Sequence, residues 1–322
     1  MLNTEMFSKW AKALGFAQIR FCSIDPFIHS YQIVQNHEPL AERKQLRFFP
    51  AEDFPEAKSI AVLLWPYKQA QLPEDGEVFV DSYYAASNAA YHAACALEMQ
   101  VRESGYFAKA NVSYPAKAAA IRAGLGLIGH HSLLITPSYG SRVVIILMAT
   151  GIELPLDVAA AQTKTCLKCG LCAKACPSGA IDDRGLTHPE RCLRNFTMEG
   201  VVVPEETRSK IGMRLIGCDN CQRVCPMQPE APLSRGTGYL LDDFMTADSA
   251  AFSNSVTRLS EEIGRNAARP QRIRAQAALL AGNSKNKSYL PVLRQWEKLP
   301  FEAVKQHAHW AIEQIESDCE PT

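Results

Sequence analysis

The sequence predicts three consecutive parts: a layered α/β domain, a cysteine-rich segment and a helical C-terminal region. Three observations support this division. Apolar runs typical of buried strands alternate with helical patterns in the first half of the chain. Eight of the eleven cysteines lie between Cys166 and Cys225. The last quarter of the chain shows only helical periodicity. We therefore expect domains at residues 1–160, 161–235 and 236–322.

The composition is that of an ordinary globular protein. The chain has 322 residues, of which 47% are hydrophobic and 21% charged, so it can bury a core. Its 34 basic and 34 acidic residues balance, which argues against binding nucleic acid through bulk charge but leaves a local basic patch open. We see no signal peptide, and no apolar run reaches the roughly 18 residues of a membrane span. We expect a cytoplasmic protein without a membrane partner.

The first part carries the α/β pattern. Its N-terminal segment is predicted to be an amphipathic helix with Met6, Trp10 and Leu14 on one face. The elements predicted after it are a strand at Ser59–Trp65, a helix at Ser87–Ser104, a helix at Pro115–Ala123 and a strand at Arg142–Ala149. Gly105 and Gly124 follow the two helices, as glycine commonly does at a helix end.

The C-terminal part is predicted to be helical throughout. Two periodic stretches, Ile273–Ala281 and Glu302–Ile315, are joined through Leu290–Trp296 and are spaced like one or two units of a HEAT repeat. A basic stretch runs along it, which either contacts phosphates or forms a solvated helix face. Its residues are Arg265, Arg269, Arg272, Arg274, Lys285 and Lys287.

Clustered cysteines in a chain without a visible export signal indicate metal binding rather than disulfides. The first group matches the bacterial ferredoxin pattern C-x2-C-x2-C-x3-C-P at every position. Three thiolates at this spacing wrap a tight loop around one [4Fe–4S] cubane, while the fourth lies too far along the chain and points to a second cubane. The residues are Cys166, Cys169, Cys172, Cys176 and Pro177.

The second motif has one cysteine fewer than the full pattern. It reads Cys218-Asp-Asn-Cys221-Gln-Arg-Val-Cys225-Pro226, whereas two cubanes need four ligands each. Cys192 is the remaining cysteine in the interval, and we predict that it is the missing ligand. In ferredoxins the last cysteine of each motif binds the other cluster. Cluster one therefore takes Cys166, Cys169, Cys172 and Cys225, and cluster two takes Cys176, Cys192, Cys218 and Cys221.

Zinc is the alternative metal, because it also binds C-x2-C pairs. Four cysteines spaced as in the first motif are awkward for one tetrahedral ion, so the pattern favours iron–sulfur clusters and a bacterial two-cluster ferredoxin-like domain. The other cysteines are isolated. Cys22 and Cys95 are predicted to be small core residues, and Cys319 a surface thiol.

Several stretches beyond the cysteines also form a pattern, among them Arg122–Gly129, Tyr139–Ser141, Arg191–Cys192, Ile216–Pro226, Gly264–Asn266 and Ala281–Ser284. With these stretches the sequence resembles the epoxyqueuosine reductase family. The resemblance implies a cobalamin-binding α/β N-terminal domain, a two-cluster ferredoxin-like domain and an α-helical HEAT-like C-terminal region. It also implies cobalamin contacts from the glycine-rich turn and from a second turn, at Gly126, Gly129, His130, Ser132, Gly140 and Ser141.

The resemblance also implies a reaction. The family reduces the epoxide of epoxyqueuosine, a modified base in the tRNA anticodon, to an alkene. Electrons from a donor such as a flavodoxin or ferredoxin enter through the clusters and reduce cobalamin, which then attacks the substrate. An aspartate shortly before the glycine-rich turn protonates the leaving oxygen. A cytoplasmic oxidoreductase of tRNA modification is the implied function.

The family's aspartate is missing from this chain. An ungapped count places Ala110 at its position, and a two-residue gap places Val112 there. No carboxylate lies between Glu103 and Glu153. The sequence therefore predicts that the chain lacks epoxyqueuosine turnover, and that it is a divergent member of the family.

Other candidates and departures lie in the same part of the chain. Tyr114 and His130 are weak candidates for a proton donor to a different substrate. The family's K-x-T/N after the glycine-rich turn is His130-His131-Ser132 here, and its C-P-W-N is Cys225-Pro-Met-Gln228. Gly124–Gly129 also spells G-x-G-x-x-G, but it follows a predicted helix rather than a strand, so dinucleotide binding is disfavoured.

Two other functions stay open. The chain could be a two-cluster electron carrier that serves a partner enzyme, or a protein that re-reduces a partner's corrinoid. The missing aspartate favours these two functions. The chain length and the C-terminal helices favour a reductase, since a bare ferredoxin needs no flanking domain.

Overall fold

A computed structural model describes residues 2–36, 46–153 and 165–317. Cys319 lies outside these ranges. The strands are β1 Gln18–Cys22, β2 Ser59–Pro66, β3 Phe79–Val80, β4 Ala108–Ala110, β5 Leu127–Ile128, β6 Leu134–Ile135, β7 Val143–Thr150 and β8 Arg214–Ile216. Each strand predicted from an apolar run is present.

Helices account for nearly half of the remaining described residues. In the first half of the chain they are α1 Thr4–Ala13, α2 Ile28–Gln35, α3 Pro50–Asp53, α4 Ser82–Glu103 and α5 Ala116–Arg122. In the second half they are α6 Leu171–Lys174, α7 Leu193–Glu199, α8 Glu205–Ile211, α9 Asn220–Arg223, α10 Ser249–Ile263, α11 Pro270–Ser284, α12 Leu290–Trp296 and α13 Glu302–Ser317. None of the described helices is long and apolar enough to cross a membrane.

The chain folds into two compact units. Unit 1 comprises Met1–Tyr67, Ala86–Cys169 and Pro226–Pro229. Unit 2 comprises Lys68–Ala85, Gly170–Cys225 and Glu230–Thr322. The C-terminal helices thus belong to the same unit as most of the cysteine-rich segment.

Unit 1 is built on a four-stranded antiparallel sheet with the order β1-β2-β7-β4. Strands β2 and β7 pair from Ser59 opposite Thr150 to Pro66 opposite Val143. Both are apolar and buried along most of their length, which explains why they read as continuous rather than alternating hydrophobic runs.

The buried face of α1 differs from the prediction. Phe7 and Ala11 are fully buried, whereas Met6 is 46% exposed. Apolar residues lie on two adjacent stripes of this helix. The prediction followed the stripe with Met6, Trp10 and Leu14, whereas the stripe with Phe7 and Ala11 is the buried one. Packing decides the face, since Phe7 stacks edge-on against Phe21 of β1.

A β-hairpin follows α5. Gly124, with φ of +68°, ends the helix. Strand β5 then pairs with β6, Leu127 opposite Ile135 and Ile128 opposite Leu134. The connecting residues Gly129–Leu133 form the hairpin tip, which contains His130 and His131. The G-x-G-x-x-G string is thus a helix end and a hairpin.

Unit 2 is mainly helical. Helices α11 and α13 pack against each other, and α11 is buried from Ala275 to Gly282. Arg274 was predicted to be part of the basic stretch. Its guanidinium instead lies 4.2 Å from the ring centre of Phe252 and 5.6 Å from that of Trp296. Arg274 is therefore a packing residue stabilised by cation–π contacts.

His307 on α13 ties the helices of unit 2 to a buried loop. Its Nε2 accepts a hydrogen bond from the Val203 amide at 2.9 Å, and its Nδ1 donates to the Ala275 carbonyl at 3.0 Å. Burial is the main cause that lowers the pKa of His307 to about 4. The ring is therefore neutral at physiological pH.

We expect His307→Ala to lower the free energy of unfolding by about 2–4 kcal/mol, because it leaves two buried backbone groups unpaired and a cavity behind. His309→Ala is the matched control, since that ring is exposed on the same helix. Thermal unfolding measures both variants. Equal melting temperatures for the two would contradict this account of His307.

The lowered pKa of His307 makes the stability of the fold depend on pH. In the unfolded chain His307 takes up a proton at its ordinary pKa of about 6.5, whereas in the folded chain it stays neutral down to about pH 4. The stabilisation that His307 provides is therefore complete above about pH 6.5 and is lost as the pH falls towards 4. The wild type should lose stability over this window relative to His307→Gln, which has no titrating group there.

Candidate functional site

Cysteines of unit 2 come together around Cys221. Helices α6 and α9, which carry parts of the two motifs, pack against each other. Burial raises the pKa of Cys221 well above its ordinary value, and the nearby thiols of Cys218, Cys192, Cys176 and Cys172 raise it further. The first three of these thiols and Cys221 are the set predicted for cluster two, whereas Cys172 is predicted for cluster one. Bound iron would reverse the effect, because a coordinating thiol loses its proton.

The backbone around these cysteines is shaped by local contacts. Gly217, with φ of +84°, precedes Cys218, and a side chain here would overlap Asp81 and Tyr84. The Gly217 amide donates to Thr197 Oγ1 at 2.9 Å. Cys176 Sγ accepts a hydrogen bond from the Ala180 amide at 3.2 Å. Among the described residues, no three histidine, cysteine or carboxylate side chains are arranged to hold a single metal ion.

Asp81 is a buried carboxyl that sequence reasoning missed. It begins α4, where its Oδ1 accepts the Tyr83 amide at 3.0 Å. Burial raises its pKa to about 7, with a further contribution from the Asp219 carboxylate. An acidic residue directly before a helix is a capping signal by which the sequence could have identified Asp81. The close packing of Asp81 against Gly217, far along the chain, leaves no local signal.

The hairpin tip lies against the first cysteine motif within unit 1. The backbone N–H of His130 donates to Cys166 Sγ at 3.4 Å. The tip is held on its other side by Lys117, whose Nζ donates to the Ser132 carbonyl at 2.7 Å. Ser132 has φ of +59°, which allows the tight turn. The predicted site residue His130 therefore lies beside a predicted cluster ligand, and Ser132 lies in the same turn.

His131 is the buried member of the histidine pair. Its Nδ1 accepts the Leu133 amide at 3.2 Å, which places the proton of the neutral ring on Nε2. Burial lowers its pKa to about 4, with contributions from His130 and Lys117. Its Nε2 is buried without a hydrogen-bond partner among the described residues. His131 therefore offers a donor that no described residue accepts.

The predicted glycines are required by the packing of the hairpin itself. A Cβ at Gly126 would run into the backbone carbonyl of Ile135. A Cβ at Gly129 would lie 2.6 Å from Ile135 Cδ1 and 2.7 Å from His131 Cε1. The packing of the hairpin alone explains why these two positions are glycine. Their predicted role in cofactor binding therefore stays a prediction.

We expect Gly126→Ala to destabilise unit 1 by about 3 kcal/mol or more, since a backbone atom cannot move aside as a side chain can. Gly105→Ala is the control, because Gly105 has positive φ but open space around it. It should cost only about 1 kcal/mol. Urea denaturation compares the two, and similar midpoints would contradict the close approach at Gly126.

Gln228 binds the second predicted turn. Its Oε1 accepts the Ser141 amide at 3.0 Å and Arg142 Nε at 3.3 Å, and its Nε2 donates to Ser141 Oγ. Gly140, with φ of +57°, has no room for a Cβ because of the same side chain. Gln228, which replaces the last asparagine of the family's C-P-W-N motif, thus holds the Gly140–Ser141 turn in place.

Tyr114 is committed to a hydrogen bond. Its hydroxyl donates to Asp53 Oδ2 at 3.0 Å, and its ring stacks on Phe27. Burial raises the pKa of Tyr114, as does the bond to Asp53, which makes the hydroxyl a weaker acid. The geometry adds no support for Tyr114 as the proton donor, and that role stays a prediction.

The segment that lacks the aspartate is reached by a carboxylate from elsewhere. Glu98 of α4 accepts the Ala110 amide at 2.9 Å and also pairs with Arg102 and Lys109. Through these contacts Glu98 anchors the backbone of β4.

Comparison with known proteins agrees with this geometry. A family model described as a 4Fe-4S double cluster binding domain matches residues 165–228. The fold and these cysteines define a two-cluster iron–sulfur protein. The epoxyqueuosine reductase of Vibrio cholerae is 27% identical over 95% of this chain and 90% of its own.

Two solved structures cover nearly the whole chain. The epoxyqueuosine reductase of Bacillus subtilis, with its catalytic aspartate loop swung out of the active site, has a TM-score of 0.76 and 25% identity over 97% of this chain and 90% of its own. An epoxyqueuosine reductase with an epoxyqueuosine-modified tRNA stem loop has a TM-score of 0.74 and 26% identity over 97% and 89%. The chain is a divergent member of the epoxyqueuosine reductase family.

Proposed function

We propose that this chain is a cytoplasmic two-cluster iron–sulfur reductase that acts on epoxyqueuosine in tRNA or on a related substrate. A complete set of eight cluster cysteines within a fold shared along nearly its whole length with epoxyqueuosine reductases carries the proposal. The ligands of cluster one are Cys166, Cys169, Cys172 and Cys225, and those of cluster two are Cys176, Cys192, Cys218 and Cys221.

Unit 1 supplies the residues that would hold cobalamin. The buried Nε2–H of His131 fits a ligand with acceptor oxygens, as the carboxamides of a corrin provide. Gly126, Gly129, His130 and Ser132 would line it at the hairpin, and Gly140 and Ser141 at the turn held by Gln228. When bound, cobalamin supplies a metal centre that gathers electrons delivered singly by clusters.

Only the exposed members of the basic stretch in the helical region are available to contact tRNA phosphates. This region is proposed to be HEAT-like. Arg272 donates to the Asn266 and Ala267 carbonyls and Arg274 packs on two aromatic rings, so both stabilise the fold. Arg265 and Arg269 are exposed before the start of α11, and Lys285 and Lys287 at its end. These four residues are the proposed phosphate contacts.

We expect Arg265→Ala combined with Arg269→Ala to weaken binding of an epoxyqueuosine-modified tRNA stem loop about 10-fold at low salt and to reduce the slope of log affinity against log salt. Lys298→Ala, an exposed cation elsewhere in unit 2, should have no such effect. Fluorescence anisotropy at several salt concentrations measures both. An unchanged salt slope in the double variant would exclude this surface.

A single-turnover assay tests the proposed function. The iron-loaded protein with cobalamin, an electron donor such as a flavodoxin or ferredoxin, and epoxyqueuosine-modified tRNA should yield queuosine, although the sequence alone predicted no turnover. The reaction should be slow because the family's aspartate is missing from the stretch between Glu103 and Glu153. Bound cobalamin without any conversion would instead favour a reductant of a partner's corrinoid. Absence of both would favour a two-cluster electron carrier.

A further inference from the structure

The hairpin tip makes a backbone hydrogen bond to Cys166, a predicted ligand of cluster one. His130 N–H donates to Cys166 Sγ at 3.4 Å, a distance within the range for hydrogen bonds to sulfur. Residues 130 and 166 lie far apart in sequence but in the same unit. The bond uses the backbone, so it does not depend on the imidazole of His130.

We propose that the His130 amide is a positioning and tuning group for cluster one, which couples the potential of that cluster to the conformation of the hairpin tip. The proposal rests on the proposed role of Cys166 as a cluster ligand. It deepens the proposed function, because the same tip carries the residues assigned to the cofactor.

The physical reason is the charge on the sulfur atoms. One-electron reduction adds a negative charge to a cluster, and part of it resides on the coordinating thiolates. An N–H donor stabilises this charge more in the reduced state than in the oxidised state, so it raises the reduction potential. Losing the donor lowers the potential and makes the cluster a stronger reductant.

The tip is built to hold this amide in place. The Gly129 amide donates to the Leu133 carbonyl at 2.9 Å and the Ser132 amide to the Gly129 carbonyl at 2.8 Å. The His131 ring fills the space above Gly129. His131 directly follows His130, whose amide donates to Cys166. A ligand that contacts the His131 ring would therefore act on this turn next to the donating amide. Occupancy of unit 1 and the potential of cluster one are linked through this turn.

A pair of variants isolates the amide. His130→Pro removes the N–H, whereas His130→Ala removes the imidazole and keeps the N–H. Anaerobic redox titration with dithionite, followed by EPR, gives the potentials of both clusters. We expect the cluster-one potential to shift downwards in His130→Pro and to stay at the wild-type value in His130→Ala. Cluster two is the internal control and should not move.

A second measurement covers the case in which the proline variant misfolds. Proton ENDOR of reduced cluster one in the wild type and in His130→Ala should show an exchangeable proton coupled to the cluster, which disappears in deuterium oxide. Equal cluster-one potentials in the two variants, or no exchangeable coupled proton, would overturn the proposal. Full iron retention in Cys166→Ser would instead show that the ligand assignment itself had failed.

Discussion

A Cys192→Ser variant, reconstituted anaerobically, is expected to hold about half of the wild-type iron. Cys192 belongs to neither ferredoxin-type motif, yet its thiol lies beside those of Cys221 and Cys218. A cubane that loses one of its four thiolates is labile, whereas the other cubane keeps its complete set. Iron analysis should therefore give roughly four irons per chain instead of roughly eight.

Cys95→Ser is the matched control for this variant. Cys95 is a partly buried thiol of unit 1 that accepts a weak hydrogen bond from Asn111, and no cluster is assigned to it. It should retain all of the iron. Full iron in Cys192→Ser would show that another group supplies the last ligand, and zinc in the wild type would contradict the cluster assignment.

Val112→Asp is expected to raise epoxyqueuosine turnover by about 10²–10⁴-fold over the wild type, the usual contribution of a general acid. Val112 follows the end of β4 and is partly buried, and its amide donates to the Leu147 carbonyl. Asn111 before it has φ of +57°, so the chain turns out of the sheet at this point. A carboxyl here restores the acid that the family carries.

Ala110→Asp distinguishes the two alignments of this segment. Ala110 is 4% exposed and its amide is bonded to Glu98, so a second carboxylate here would face the first in a buried place. We expect this variant to lose stability without gaining turnover. A gain in Ala110→Asp and none in Val112→Asp would reverse the alignment, and a gain in neither would mean that a different substrate is used. Single-turnover chromatography of nucleosides measures both.

Local patterns were enough to predict the regular elements. The apolar runs at β2 and β7 and the periodic stretches at α11 and α13 are present because burial along a whole strand or stripe leaves a repeating mark in the sequence. The start of α4 was placed five residues late, since Asp81 lies before the stretch that was counted as helical. The C-x2-C spacing is a local pattern of the same kind, and the loop that it predicts around one cluster stays a prediction.

Contacts between distant residues left no such mark. Nothing local joins Gln228 to the Gly140 turn, or His130 to Cys166. The burial of His131 follows from the folding of the hairpin over Gly129, and that of Arg274 from Phe252 and Trp296. Local sequence patterns therefore predicted the regular elements, while the contacts of individual side chains required the tertiary structure.

An anaerobic EPR titration of the iron-loaded protein with cob(II)alamin tests the central claim most directly, that a two-cluster protein feeds electrons to a corrin held by unit 1. The account predicts saturation near one cobalamin per chain and a cobalt signal that differs from that of free cob(II)alamin in the manner of a base-off form. Gln228→Ala, which releases the Gly140–Ser141 turn, should weaken the binding. A cobalt signal identical to that of free cob(II)alamin at every protein concentration would contradict the account and leave a two-cluster electron carrier.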